Sequence, residues 1–167
     1  QFKNICKLRW VVDDESEEDV PNSVSDEEKY GIRQQLVPVL ISLASAPSPS
    51  QAILSQVNES IALVASYDFP DAWPSLIDEL VSQLSTDNHH ILLSVLSTSH
   101  AIFKRWRSQF RSDALYMEIN LVLGKMANPL LELLQRMHSL LMDPSTPSST
   151  MQPLAMCLML LLQLFYD

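Results

Sequence analysis

Apolar residues recur every three to four positions along most of the chain, the spacing of amphipathic α-helices. The breaks between these stretches consist mainly of proline and serine, which favour turns. Ser25 followed by Glu28 is the pattern of a helix-capping box, and Ser50 is a suitable N-cap for the next stretch. We predict seven helices, over about 2–12, 25–46, 50–68, 70–86, 89–106, 112–142 and 150–166.

Several details of these helices are predicted as well. The third helix is expected to bury a stripe of Ile53, Val57, Ile61 and Val64. Because proline is favourable in the first turn of a helix, Pro70 and Pro74 are placed in the opening turn of the fourth. We expect Pro38 to kink the second helix, and the sixth to bend near Gly124, Asn128 and Pro129.

The last helix, 150–166, is apolar on nearly every side, so it needs neighbours on several faces. This predicts a partner helix beyond Asp167. The longest apolar stretch, Leu154 to Tyr166, is interrupted by Gln163 and is shorter than the roughly 20 residues that span a bilayer, so no membrane segment is predicted.

The helices group into antiparallel pairs, with boundaries near 1–46, 50–86 and 89–142 and an unpaired helix at 150–166. Pairs of about this length are typical of HEAT-type repeats, which stack into an α-solenoid with a continuous core. We therefore predict an all-α, HEAT-repeat α-solenoid that is incomplete at both ends. A closed helical bundle is the alternative all-α architecture.

The net charge of −9 comes from one segment. Nine acidic residues lie in the window 13–28, which contains no lysine or arginine, and the remaining chain has 11 acidic and 11 basic residues. Most of these acids belong to a predicted solvated loop at 13–24, which is either an inert linker, a steering element for a basic partner or a polyanion mimic. The acidic balance argues against a nucleic-acid partner.

Few residues are suited to chemistry. With only Gly31 and Gly124, the chain lacks glycine-rich phosphate loops, and its four histidines show no spacing typical of zinc ligands. Cys6 and Cys157 lie at opposite ends of the chain and fit a reducing compartment. We predict no catalytic residues, no cofactor and no metal, and hence a protein that is not an enzyme.

Two motifs resemble importin-β-type nuclear transport receptors. The first is the helix with Phe2, Asn4, Lys7 and Trp10, and the second is the corner at 61–77 that contains Asp68, Phe69, Pro70, Trp73 and Pro74. The runs 100–107 and 110–113, with Glu118 and Ile119, are similar to the members of the family that re-export importin-α. The resemblance implies an amino-terminal fragment that begins in the second repeat, and Ala72 departs from the pattern, where a longer polar residue is expected.

The resemblance also implies partners. Family members bind the GTP-bound form of the GTPase Ran through the second helix of each pair, which here corresponds to 25–46, 70–86 and 113–142. The implied cargo is importin-α, bound with the rest of the receptor, nucleoporins are a further partner class, and the implied location is shuttling between nucleus and cytoplasm. The alternatives are a helical-repeat scaffold or an import receptor with another cargo. The candidate Ran-binding residues are Glu28, Lys29, Arg33, Asp78, Glu79 and Gln83, although Asp78, Glu79 and Gln83 also fit a solvated helix face.

Other conspicuous residues have structural interpretations. Phe69 and Trp73 are expected to pack the corner between two helices, because aromatic rings bury a large area. The cluster of Lys104, Arg105, Arg107 and Arg111 is either a nucleic-acid or localisation patch, or the favourable basic end of a helix, and we prefer the second interpretation.

Overall fold

Seven α-helices and one 3₁₀ helix make up the computed structural model, which describes residues 2–10 and 23–166. The acidic segment 13–22 lies outside the described residues, as does the side chain of Phe2. No strand occurs within those two ranges. The elements are α1 (Phe2–Arg9), α2 (Asp26–Ala44), α3 (Gln51–Asp68), α4 (Leu76–Ser82), α5 (His89–Phe103), the 3₁₀ helix (Lys104–Ser108), α6 (Asp113–Met142) and α7 (Ser148–Tyr166).

Polar side chains cap the beginnings of three helices, where backbone amides lack partners within the helix. At α2 the predicted capping box forms: the Glu28 amide donates to Ser25 Oγ at 3.3 Å, and the Ser25 amide donates to Glu28 Oε2 at 2.9 Å. The side chain of Asn88 accepts from two amides of α5, and Ser112 Oγ accepts from the Leu115 amide of α6. Ser50 precedes α3 as predicted, but its side chain makes no capping hydrogen bond.

Helix contacts follow two layers. In one layer α1 packs on α3, α3 on α5 and α5 on α7, while in the other α2 contacts α4 and α4 contacts α6. The layers meet where α2 packs against α3 and α5 and where α6 packs against α7. The all-α prediction is confirmed, and the succession of neighbouring helices is consistent with a helical-repeat fragment.

The buried stripe of α3 differs from the prediction. Ile61 and Val64 are fully buried, but Ile53 is 52% exposed and Leu54, at 3%, takes its place. Leu54, Asn58, Ile61 and Ala65 follow a helical spacing of four, three and four residues, so they share one face. We attribute this rotation to the contacts of α3 with three helices, α1, α2 and α5, which bury the face that carries Leu54 and Ile61.

The fourth helix is shorter than predicted. It begins at Leu76 rather than Pro70, and Pro70 and Pro74 lie in the turns that precede it. Those turns are fixed by the carbonyl of Asp68, which accepts from the amides of Ala72 (2.8 Å) and Trp73 (2.9 Å). The main chain is thereby folded back before a helix can start.

Helix α7 is apolar but only partly covered. Leu154, Cys157, Leu161 and Leu164 are buried against the other helices, whereas Met156, Met159, Leu162 and Phe165 are about half exposed. Contrary to the length argument from the sequence, α7 has 19 residues and is long and apolar enough to cross a membrane by length and composition. Only the buried face of α7 belongs to the core, where the helix packs against α5 and α6.

Candidate partner-binding surface

The predicted candidates on α2 lie in its first two turns. Glu28 belongs to the capping box. Its carboxylate accepts hydrogen bonds from the Ser25 amide and the Ser25 hydroxyl, and these bonds lower its pKa, with the larger effect from the amide. Lys29 is partly buried, and its Nζ lies 3.5 Å from Asp26 Oδ1. Because Glu28 is exposed at the helix start, it is accessible to a partner while it also stabilises the helix.

Arg33 is buried and forms part of an internal network. Its Nη1 donates to Asp68 Oδ2 at 2.5 Å, and Trp10 Nε1 donates to Asp68 Oδ1 at 3.0 Å. The Arg33 and Asp68 side chains are each only 11% exposed. Asp68, at the end of α3, therefore links Arg33 of α2 to Trp10, which follows α1. This contact indicates a structural role for Arg33.

The corner motif after α3 also packs into the core. Trp73 is 1% exposed and Phe69 6%, in agreement with the packing role expected for them. By contrast, Asn4 and Lys7 on α1 are exposed. The motif thus combines buried aromatic residues with the Asp68 network, and Asp68 is its polar centre.

The candidates at α4 are more accessible than the buried Arg33. Asp78 is exposed, and its Oδ2 accepts from Lys125 Nζ of α6 at 2.7 Å. Glu79 Oε1 accepts from Ser75 Oγ at 2.6 Å. Gln83 is the C-cap of the helix, and its side-chain amide contacts Ser82. Since α2 contacts α4 within one layer, the two groups of candidates occupy neighbouring helices.

Two basic residues on α6 were not identified from the sequence. Lys125 is the partner of Asp78, and Arg136 donates to the carbonyls of Leu84 (2.8 Å), Ser85 (3.0 Å) and Thr86 (3.2 Å). These contacts join residues about 50 positions apart, so only the stacking of α6 on α4 creates them. Arg136 thereby caps the carbonyls that follow the C-terminal end of α4.

The basic cluster after α5 is divided between several contacts. Arg105 donates to the Ala65 carbonyl at 3.2 Å and pairs with Glu118, which also accepts from Trp106 Nε1 at 2.9 Å. The guanidinium of Arg107 stacks over the Tyr166 ring at 4.1 Å. Both arginines lie in the 3₁₀ helix that continues α5, and Arg105 is engaged inside the fold.

A groove of about 940 Å³ lies beside this cluster, between the turn at Pro70 and the first half of α6. Its walls include Phe110, Met117 and Leu121, with exposed fractions of 89%, 73% and 39%. The groove is a second surface where apolar side chains are open to solvent.

Within residues 2–10 and 23–166, no three His, Cys, Asp or Glu side chains are grouped so as to hold a metal ion. Burial raises the pKa of the Cys6 and Cys157 thiols to about 11 in each case, which disfavours the nucleophilic thiolate.

Comparison with known proteins shows which proteins the chain is similar to. Residues 102–167 match the Cse1 family model. Over 99% of its length the chain is 36% identical to the importin-alpha re-exporter of Schizosaccharomyces pombe, 37% identical to exportin-2 of Pagrus major and 34% identical to human exportin-2. Over almost its whole length, the chain resembles the exportin-2 proteins. It spans 16% of the length of each of these relatives.

These identities confirm the resemblance inferred from the motifs at 2–10 and 61–77. The similarity extends through 99% of the chain, well beyond those two motifs. Both the Asp68 corner and the α6 residues that contact α4 thus belong to the matched region.

Proposed function

We propose that the chain forms part of a nuclear export receptor that binds GTP-bound Ran and returns importin-α to the cytoplasm. The observation that carries this proposal is the identity of 34–37% over 99% of the chain with proteins named exportin-2 or importin-alpha re-exporter. The receptor shuttles between nucleus and cytoplasm, and nucleoporins are a further class of partner.

The proposed mechanism is binding, without catalysis by this chain. Ran and importin-α each stabilise the same shape of the solenoid, so each raises the affinity for the other by an equal coupling free energy. GTP hydrolysis takes place on Ran.

The proposed Ran contact consists of Glu28 and Lys29 on α2 with Asp78, Glu79 and Gln83 at α4. The accessibility of Glu28 and Asp78 and the contact between their helices support this assignment. Burial of Arg33 favours a supporting role for it, in which its bond to Asp68 positions α2 against the end of α3.

The first test compares nucleotide states. The receptor that contains this chain is titrated with Ran loaded with GTP or with GDP, with and without importin-α. We expect tighter binding of the GTP form and a further increase when importin-α is present. Equal affinity for the two forms would refute the proposed function.

The second test uses the ion pair between Asp78 and Lys125. Asp78→Lys removes a candidate contact and also breaks the pair, whereas the exchange Asp78→Lys with Lys125→Glu restores an attractive pair of reversed polarity. If Asp78 contacts Ran, both variants bind Ran weakly, and Asp71→Lys, an exposed reversal outside α2 and α4, binds normally. Recovery of binding in the exchange variant would instead assign Asp78 a purely structural role.

A further inference from the structure

The turn between α6 and α7 contains a threonine followed by proline, Thr146 and Pro147. Residues 143, 144, 145 and 147 of this turn are exposed and Thr146 is half-buried. Kinases that require proline after the phosphorylated residue select this dipeptide, in which the proline ring carries no backbone N–H. The turn lies outside both helices, so it presents the dipeptide at the surface.

A basic side chain lies close to Thr146. Thr146 Oγ1 donates to the carbonyl of Leu140 at 2.6 Å. Arg136 lies one helical turn before Leu140, on the same face of α6. Thr146, Arg136 and His89 line one cavity of about 270 Å³, together with Thr86 and Asp87. A group attached to Thr146 Oγ1 is therefore within the same small space as a guanidinium.

We propose that Thr146 is a phosphorylation site and that Arg136 binds the attached phosphate. In the reaction, Thr146 Oγ1 forms a bond to the γ-phosphorus of ATP while the bond between that phosphorus and the β,γ-bridging oxygen breaks. ADP leaves, and the hydroxyl proton passes to the base of the kinase. The product carries a charge of about −1.5 to −2 at neutral pH and three acceptor oxygens, which match the planar fork of arginine.

The modification changes a contact between helices. Arg136 now donates to the carbonyls of Leu84, Ser85 and Thr86 after α4. A phosphate dianion attracts the guanidinium more strongly than neutral carbonyls do, because its hydrogen bonds with the cation join two full charges. Asp87 lines the same cavity and Asp143 begins the turn, so both carboxylates repel the phosphate, and its attraction to Arg136 has to exceed this repulsion. Phosphorylation thus transfers Arg136 from the end of α4 to the turn before α7.

The test begins with the 167-residue chain, Mg·ATP and a purified proline-directed kinase, followed by mass mapping of the product. We expect phosphate at Thr146 and its loss in Thr146→Val and in Pro147→Ala. The exposed Ser48, followed by Pro49 in the turn before α3, reports that the kinase is active on this chain. Labelling of Ser48 without labelling of Thr146 would overturn the proposal.

The role of Arg136 is tested by a phosphorus NMR titration. The second pKa of the Thr146 phosphate is expected to lie about 0.5 unit or more lower in the native chain than in Arg136→Gln. The pKa of a phosphate at Ser48 is expected to be the same in both proteins. Equal Thr146 phosphate pKa values would refute binding by Arg136.

A second readout needs no substitution at Arg136. Transfer of Arg136 loosens the residues after α4, so the Thr86 amide, which donates to the Gln83 carbonyl, is expected to exchange with deuterium severalfold faster after phosphorylation. The Ser25-capped first turn of α2, which does not line this cavity, serves as the reference. Unchanged exchange at Thr86 would rule out release of the contact.

Discussion

Replacing Asp68 with alanine tests a carboxylate that accepts hydrogen bonds from two distant side chains. Asp68 accepts from Arg33 Nη1 at 2.5 Å and from Trp10 Nε1 at 3.0 Å, and its backbone carbonyl fixes the following turn. Alanine retains the carbonyl and removes both side-chain acceptors. The substitution therefore separates the side-chain network from the turn.

The expected cost follows from the burial of the two partners. Breaking a buried ion pair by removing one member costs about 3–5 kcal/mol, because the other charge is left uncompensated. The Arg33 side chain is 11% exposed, so water compensates it poorly. The substitution also leaves the indole N–H of Trp10 without its acceptor. A buried unpaired donor costs about 1–3 kcal/mol, but this overlaps with the cost of breaking the ion pair, so the two figures are not added. We expect a total near 3–5 kcal/mol, a large fraction of the roughly 5–15 kcal/mol typical of a folded domain.

The assay is urea unfolding at pH 7, followed by circular dichroism at 222 nm. Asp71→Ala, an exposed substitution three residues later, serves as the control and is expected to change the free energy of unfolding by less than about 0.5 kcal/mol. The double variant Arg33→Met with Asp68→Ala removes the uncompensated charge and is expected to be more stable than Asp68→Ala alone. A cost below about 1 kcal/mol for Asp68→Ala, or additive single effects, would refute the reasoning.

Three further predictions concern other polar contacts. Arg136→Ala removes donors to three carbonyls and is expected to lower the free energy of unfolding in urea by about 1.5–3 kcal/mol, with a smaller loss in Arg136→Lys. An unchanged free energy of unfolding would show that water replaces these hydrogen bonds. Thr98→Val leaves the buried Asn58 Oδ1, now 2.7 Å from Thr98 Oγ1, without this donor and is expected to cost about 1–3 kcal/mol, whereas exposed Ser55→Ala serves as the neutral control. The interactions that lower the Glu28 pKa stabilise the fold above the ordinary pKa of this carboxyl, and their contribution is lost as pH falls through the folded-state value. Ser25→Ala keeps the backbone donor and removes the hydroxyl, so an NMR titration is expected to show a higher Glu28 pKa. An unchanged pKa would contradict the contribution of the hydroxyl.

The sequence was sufficient for features that depend on local patterns. Ser25 with Glu28 marked the start of α2, and the apolar spacing identified α6 from Ser112 to Met142. These features depend on residues within one or two helical turns. The predicted start of α4 at Pro70 was wrong. Hydrogen bonds to the Asp68 carbonyl fix a turn there, and proline suits a turn as well as the first position of a helix.

The candidate surface was less accessible to prediction. Arg33 looks like any other charged residue near the start of a helix, and its burial depends on Asp68, which lies 35 positions away. The partner of Asp78 is Lys125, 47 positions away. Such pairs have no signature in a single sequence, since their formation depends on how the helices stack.

The two cysteines give the protein a natural reporter at each end of the described array. Cys6 on α1 is 1% exposed and Cys157 on α7 is fully buried, and the pKa of each thiol is raised to about 11. A thiol reagent can therefore react only when α1 or α7 opens locally, which converts labelling rates into opening free energies. Cleavage and mass analysis then distinguish the two sites, so loosening at one end of the chain can be followed separately from loosening at the other without an introduced label.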